Sequence, residues 1–215
     1  MKTVAGFAFP DADTFMAREI KPDGSYQRPH LDAALKHVTD FSCAIDGGAH
    51  VGTWSALMAG RFTRVIAVEP AADAFECLVQ NMRPHANVEC RNVALAGSNE
   101  SGASLALDAK QSARGNTGGR YLSFAKKGSV VCQMVDSWSL KRLGFLKLDV
   151  EGYEPFALEG ARETLCRCKP VVLFEAKQFH TDRYGLEPHA PEMFLASIGY
   201  RFLQAIGHDQ IWGAS

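Results

Sequence analysis

Cys43-Ala44-Ile45-Asp46-Gly47-Gly48-Ala49-His50-Val51-Gly52-Thr53-Trp54-Ser55, followed further on by Arg64-Val65-Ile66-Ala67-Val68-Glu69-Pro70, decides how the chain is read. Ala44-Ile45 is a brief apolar run ending in an acid, and Gly47, Gly48 and Gly52 let the backbone turn sharply and approach a ligand without a Cβ in the way. The stretch reads as a strand, a glycine-rich turn and the start of a helix. Val65 to Val68 is a second apolar run, rich in β-branched residues, and Pro70 keeps it from continuing as strand. An acid, Glu69, therefore ends the second strand.

Two adjacent parallel strands with a glycine-rich first turn form half of a doubly wound α/β sheet, whose ligands bind beyond the carboxyl ends of the strands. Glu69 then stands where a ribose would present its hydroxyls. A dinucleotide site uses G-x-G-x-x-G, which here would require glycines at 46, 48 and 51. The chain has Asp46, Gly48 and Val51 instead. Asp46 at the mouth of this wider turn would repel a pyrophosphate but accept hydrogen bonds from a cationic, amine-bearing ligand.

S-adenosylmethionine is such a ligand, and the pattern resembles the first motif of the class I methyltransferases, with Glu69 matching their ribose-binding acid. Alone, a glycine-rich turn after a strand is often only a tight turn; an acid at the next strand end is what distinguishes this one. The resemblance implies a Rossmann-like α/β fold: a mostly parallel seven-stranded sheet with helices on both faces and a C-terminal antiparallel hairpin. It also implies cofactor contacts from Asp46, Gly47, Gly48, His50, Gly52, Glu69, Pro70, Asn92, Val93, Ala94 and Asp149.

Phe145-Leu146-Lys147-Leu148-Asp149-Val150-Glu151-Gly152-Tyr153-Glu154 is the second informative stretch. Its apolar alternation ends in two acids where a strand would reach the cofactor face. A strand, Asp-Val-Glu-Gly-Tyr-Glu, and a helix containing Leu158-Glu159-Gly160-Ala161 are similar to the signature of the FkbM methyltransferases, many of which methylate hydroxyls of sugars or secondary metabolites. Val135-Asp136-Ser137-Trp138 and Pro170-Val171-Val172-Leu173-Phe174-Glu175 follow in the same order, so the likeness runs from about residue 43 to 176. His50 departs from it, standing where members often have Asn; residues 1–29 and 108–129 match nothing in it.

At 215 residues the chain suits one α/β domain, with residues 43–215 as the methyltransferase unit and 1–42 as an N-terminal cover or lid plus a lead-in helix. A formal charge of −1, from 23 basic and 24 acidic side chains, gives no global attraction to a polyanion or an anionic membrane. No run is long enough to span a bilayer and the first residues do not read as a signal peptide, so a cytoplasmic protein with six reduced cysteines is expected.

Further elements follow from periodicity. Leu31, Leu35 and Val38 form a helical stripe; 71–82 reads as a helix with Phe75, Leu78 and Val79 on one side; 88–94 reads as a strand, with Asn92 and Ala94 near its carboxyl end, where the resemblance to class I methyltransferases implies adenine. Asp13 or Thr14 would cap a short helix through Arg18, and Asp136 a helix beginning at Ser137. Ser104–Leu107 and Val130–Val135 read as strands. Lys110, Arg114, Arg120, Lys126 and Lys127 make the intervening segment the most basic part of the chain, either a solvated loop or a surface for an anionic substrate. Pro191–Ile198 reads as a helix, and Tyr200–Gln204 with Gln210–Trp212 as the closing hairpin.

An aliphatic hydroxyl is a poor nucleophile that benefits from a general base. Asp149 is the natural base, with Glu151 and His180 the next candidates. Glu175 would end the fifth strand near them. No metal is expected; were one bound, Asp149 and Glu175 would be its ligands. The sequence thus points to O-methylation of a small or carbohydrate-like acceptor. A nucleic-acid or peptide methyltransferase and a non-catalytic binding module are the alternatives, with an NAD-dependent oxidoreductase disfavoured by the glycine register. The fourth strand carries neither the Pro-Pro-aromatic turn of amino-methylating DNA enzymes nor a Pro-Cys nucleophile.

Overall fold

The computed structural model describes residues 1–108, 110, 114–177 and 182–215, with the side chains of 125–127 left out. An N-terminal hairpin, β1 (Lys2–Val4) and β2 (Phe7–Phe9), is followed by a single-turn helix α1 (Met16–Glu19) and by α2 (Arg28–Leu35). The sheet then begins with β3 (Cys43–Gly47), α3 (Thr53–Ala59), β4 (Arg64–Val68), α4 (Ala72–Met82) and β5 (Val88–Arg91). A second layer follows, made of β6 (Ala94–Leu95), β7 (Ser104–Asp108), β8 (Tyr121–Lys127) and β9 (Val130–Gln133). The chain returns through β10 (Phe145–Leu148), α5 (Glu154–Glu159), α6 (Arg162–Cys168), β11 (Val171–Glu175), α7 (Ala190–Ser197), β12 (Tyr200–Ile206) and β13 (Asp209–Ala214).

The main sheet has seven strands in the order β12-β13-β11-β10-β3-β4-β5. The five strands from β11 to β5 are parallel, and β12 and β13 close the edge as an antiparallel hairpin. Period-two alternation sorts its side chains. Ile45, Ile66, Val68, Leu146, Leu148, Val172 and Phe174 face a core shared with Leu158, Leu165 and Leu195 of α5, α6 and α7. Ala44, Val65, Phe145, Val171 and Leu173 face the opposite core, shared with Leu31 of α2 and Trp54 and Met58 of α3. Both faces are covered, as buried parallel strands require. Among the described residues no helix is long and apolar enough to cross a membrane, and all six cysteines are free thiols.

Four expectations need correction. The strand read over 88–94 divides: β5 stays in the main sheet, and Ala94–Leu95 leaves it to pair in parallel with β9 in the four-stranded sheet β6-β9-β7-β8. Val79 is exposed; α4 buries Ala74, Cys77, Leu78 and Met82, a stripe shifted by part of a turn. Asp136 lies inside a 3-10 turn (Val135–Trp138), and its carboxylate accepts the Glu163 and Thr164 backbone N–H groups at 2.9 and 2.8 Å, capping α6 across 27 residues of sequence. Asp13 does reach the first helix, accepting the Ala17 N–H at 3.1 Å, but Phe15 occupies the cap position.

Candidate active site

The carboxyl ends of β3, β4, β10 and β11 open into a cleft of about 1180 Å³ of empty space, counting its open mouth. Its floor is the β3–α3 turn. Gly48, at φ +77°, cannot be replaced, because a Cβ there would lie 1.9 Å from the Asp149 carbonyl oxygen. The two strand-end turns therefore touch backbone to backbone. Gly48 and Ala49 donate their N–H groups to the Val68 carbonyl, fixing the turn against β4.

Glu69 is nearly buried on the cleft wall. Its Oε2 accepts the His50 N–H at 2.9 Å and its Oε1 the Ala71 N–H at 2.8 Å. Each oxygen thus keeps a second lone pair, the set needed to accept two vicinal ribose hydroxyls. Burial pushes its carboxyl up to about 7, against the lowering effect of those two N–H donors. Pro70, Val93 and Ala94 line the cleft beside it, with Leu95, Leu107 and Leu122 adding apolar surface. Asn92 is placed behind this wall, donating through Nδ2 to the Glu69 and Pro70 carbonyls at 2.8 and 3.2 Å.

Asp46 lies beneath the turn, fully buried, instead of at its mouth. It accepts the Ser55 hydroxyl at 2.7 Å and pairs with Lys147 Nζ at 3.1 Å. Gly47 and Gly52 likewise underlie the cleft and shape the turn, Gly52 at φ +91°. Sequence reading passed over Lys147. Its ammonium also donates to the Gly48 carbonyl at 3.1 Å and stands 3.8 Å from Asp149. Burial works to lower its pKa, but the charges of Asp46 and Asp149 outweigh that and raise it. The one signal in the sequence is a lysine inside an apolar strand, which needs a carboxylate if buried; that Asp46 supplies it follows from the register of β10 on β3.

At the other end of the cleft Asp149, Glu151 and Glu175 converge, each offering a carboxylate oxygen within 4.8 Å of the others. Glu151 is held in a left-handed conformation at φ +59°, its carbonyl accepting from Arg183 at 2.8 Å. Strain of this kind in a residue without glycine's freedom persists where the surroundings impose it. Burial first, then the charges of Asp149 and Glu175, push its carboxyl up to about 8. Glu175, the last residue of β11, pairs with Lys177 at 2.5 Å. The three carboxylates have the donor chemistry for a divalent cation. Two lysines stand beside them, Lys177 on Glu175 and Lys147 at 3.8 Å from Asp149.

His180 lies outside the described residues. In the basic segment, Arg120 lines the cleft and is paired with Asp73 through both guanidinium nitrogens, while Lys110 and Arg114 are exposed. The side chains of Lys126 and Lys127 fall outside the description.

A cleft with an acid whose oxygens keep acceptor lone pairs, an apolar wall and a carboxylate-rich end suits a nucleoside carrying a cationic sulfur. The family description "Methyltransferase FkbM domain" matches residues 46–202, most of the chain. The chain belongs to the FkbM methyltransferase family. S-adenosylmethionine is its cofactor, and the chemistry of the site residues fits it: Glu69 retains acceptor lone pairs for hydroxyls, and the three converging carboxylates suit a cationic sulfonium. Among solved structures, FkbM methyltransferase from Methylobacillus flagellatus KT aligns with a TM-score of 0.53 at 18% identity, covering 80% of this chain and 43% of that one. The present chain thus spans less than half the length of that relative. SMU.1697c from Streptococcus mutans, crystallised with SAH, aligns at 0.54 and 10% identity over 86% and 95% of the two chains. Precorrin-6y C5,15-methyltransferase from Geobacter metallireducens GS-15 aligns at 0.51 and 13% over 96% and 91%. At these identities the structures share the fold. No curated protein sequence matches the chain.

Proposed function

We propose that this FkbM methyltransferase moves the methyl group of S-adenosylmethionine onto a hydroxyl oxygen of a sugar, a glycolipid or a small metabolite. The convergence of Asp149, Glu151 and Glu175 carries the reading, because a neutral hydroxyl must lose a proton as its oxygen bonds to carbon. The bound cofactor supplies an electrophilic methyl carbon and a neutral thioether leaving group. The chain's own residues do the rest. Glu69 and the turn at Gly48 hold the nucleoside, and Asp149 and Glu151 receive the acceptor hydroxyl. Glu151, with a carboxyl at about 8, has the proton affinity of a base working near neutral pH, and Asp149 orients the hydroxyl or takes the proton directly. His180 remains a candidate from the sequence.

Residues 43–215 act as the catalytic unit in this reading and 1–42 as its cover, with Phe15, Met16 and Tyr26 on the cleft wall. A nucleic-acid acceptor is less well served, since the net charge is −1 and Arg120 is committed to Asp73. Transfer of labelled methyl groups to a panel of oligosaccharides, glycolipids, RNA and peptides tests the proposal. Label should appear as an ether on a hydroxylated acceptor, and Asp149→Asn and Glu151→Gln should each cut that turnover about 10²-fold or more with little change in S-adenosylhomocysteine affinity. Label found only on RNA or peptide nitrogen would sink the reading. EDTA followed by Mg²⁺ separates a metal role for the carboxylates from a base role, since only the former loses and regains activity.

A further inference from the structure

Asp13, Thr117 and His50 come from three distant segments and meet beside the glycine-rich turn. Asp13 is fully buried, and its Oδ2 accepts both the backbone N–H of Thr117 at 3.2 Å and its hydroxyl at 2.5 Å. The same Thr117 oxygen lies 2.8 Å from Nε2 of His50. A hydroxyl has one proton to give, and a carboxylate only accepts. The Thr117 proton therefore goes to Asp13, and Thr117 Oγ1 is the acceptor for His50, whose Nε2 carries the hydrogen. Burial holds the His50 ring down to about 4 despite the opposing charge of Asp13, so the ring is neutral near pH 7. A neutral ring protonated at Nε2 has a bare Nδ1.

The lock on the ring bears on the backbone. His50 sits at φ +51°, a left-handed conformation uncommon without glycine, and its N–H is the donor to Glu69 Oε2. Whatever holds the ring also holds that N–H on the ribose acid. The holding segments are themselves joined, because the Gly115 carbonyl accepts the N–H groups of Thr14 and Phe15 at 2.8 and 2.9 Å.

We propose that Asp13 and Thr117 are positioning residues of the cofactor site, acting through the Nε2–H tautomer of His50 to hold the turn whose N–H orients Glu69. The N-terminal segment and the loop around Thr117 then serve cofactor recognition in addition to walling the cleft.

Two measurements on the full chain test this. In ¹⁵N-detected histidine spectra, with His50 assigned by its loss in His50→Asn, Nδ1 should be the unprotonated nitrogen in the parent and in Thr117→Ser, and the tautomer preference should be lost in Thr117→Val. By calorimetry, Thr117→Val should weaken S-adenosylhomocysteine and 5′-methylthioadenosine by similar factors, roughly 3- to 10-fold, the worth of one neutral hydrogen bond. The second ligand keeps ribose and adenine but lacks the amino-acid arm. Thr117→Ser should restore both affinities. A parent His50 protonated at Nδ1 would overturn the proposal whatever the Thr117 variants do. So would a Thr117→Val protein that binds both ligands normally, or that weakens S-adenosylhomocysteine alone, since the effect would then bypass the ribose acid.

Discussion

In the proposed site Glu69 is the residue that holds the ribose. Both its oxygens are fixed by backbone N–H donors, so a ribose placed there would meet a carboxylate that needs no reorganisation. Glu69→Ala should weaken S-adenosylhomocysteine by about 1.5–3 kcal/mol, the range for a charge-assisted hydrogen bond, and Glu69→Asp by less, since it keeps the charge with a shorter reach. Titration calorimetry reads this directly. Parent-like affinity in the alanine variant would mean that the ribose lies elsewhere. That Glu69, Asp149 and Glu151 line the cleft was legible in the sequence because each is an acid at or just past the end of an apolar strand. Asp46 was legible as important but not as buried: its environment is set by Lys147 and Ser55, and the ion pair across β3 and β10 appears only once strand order is known. His50 was marked as a departure from the family, yet its partners Thr117 and Asp13 lie 67 residues after it and far before it, beyond any local pattern.

Among the elements, the central strands were readable because parallel strands buried on both faces show as apolar runs; their order came from the structure. The second sheet was not. Its strands are short, and β6 is only two residues, so a run that reads as one strand bends at Asn92 to join β9. Asp136 was assigned to the wrong helix for a related reason: a capping side chain is recognised by its distance along the chain, and this one caps across space. Asp136→Ala should cost about 1 kcal/mol, with an upper range near 2, because two N–H groups at the start of α6 would lose their acceptor. Urea unfolding monitored by circular dichroism measures it. No change in the midpoint would show that water replaces the carboxylate without loss.

For the whole molecule, four wholly or partly buried glutamates outnumber the one group that opposes them, His50, in setting the pH response. Glu69 and Glu175 are pushed up to about 7, and Glu151 and Glu154 up to about 8, burial being the largest cause in each. The unfolded chain sheds these protons near the ordinary value of 4.5, so the folded state binds more protons across the interval. Their contribution is therefore complete below that value and is lost as pH rises through the folded values. The melting temperature of the ligand-free chain should fall between about pH 5 and pH 8, and calorimetric scans across that window check it. A flat or rising profile would mean that these carboxyls are better solvated than the fold suggests.

The account rests on one placement: nucleoside at Glu69, reacting sulfur at the carboxylates of Asp149, Glu151 and Glu175. A crystal structure of the full chain with S-adenosylhomocysteine measures it directly. The ribose hydroxyls should bond to the two Glu69 oxygens, with adenine against Val93 and Leu95 and sulfur facing the Asp149–Glu151 turn. A ligand whose ribose bypasses Glu69, or whose sulfur points away from the three carboxylates, would contradict it.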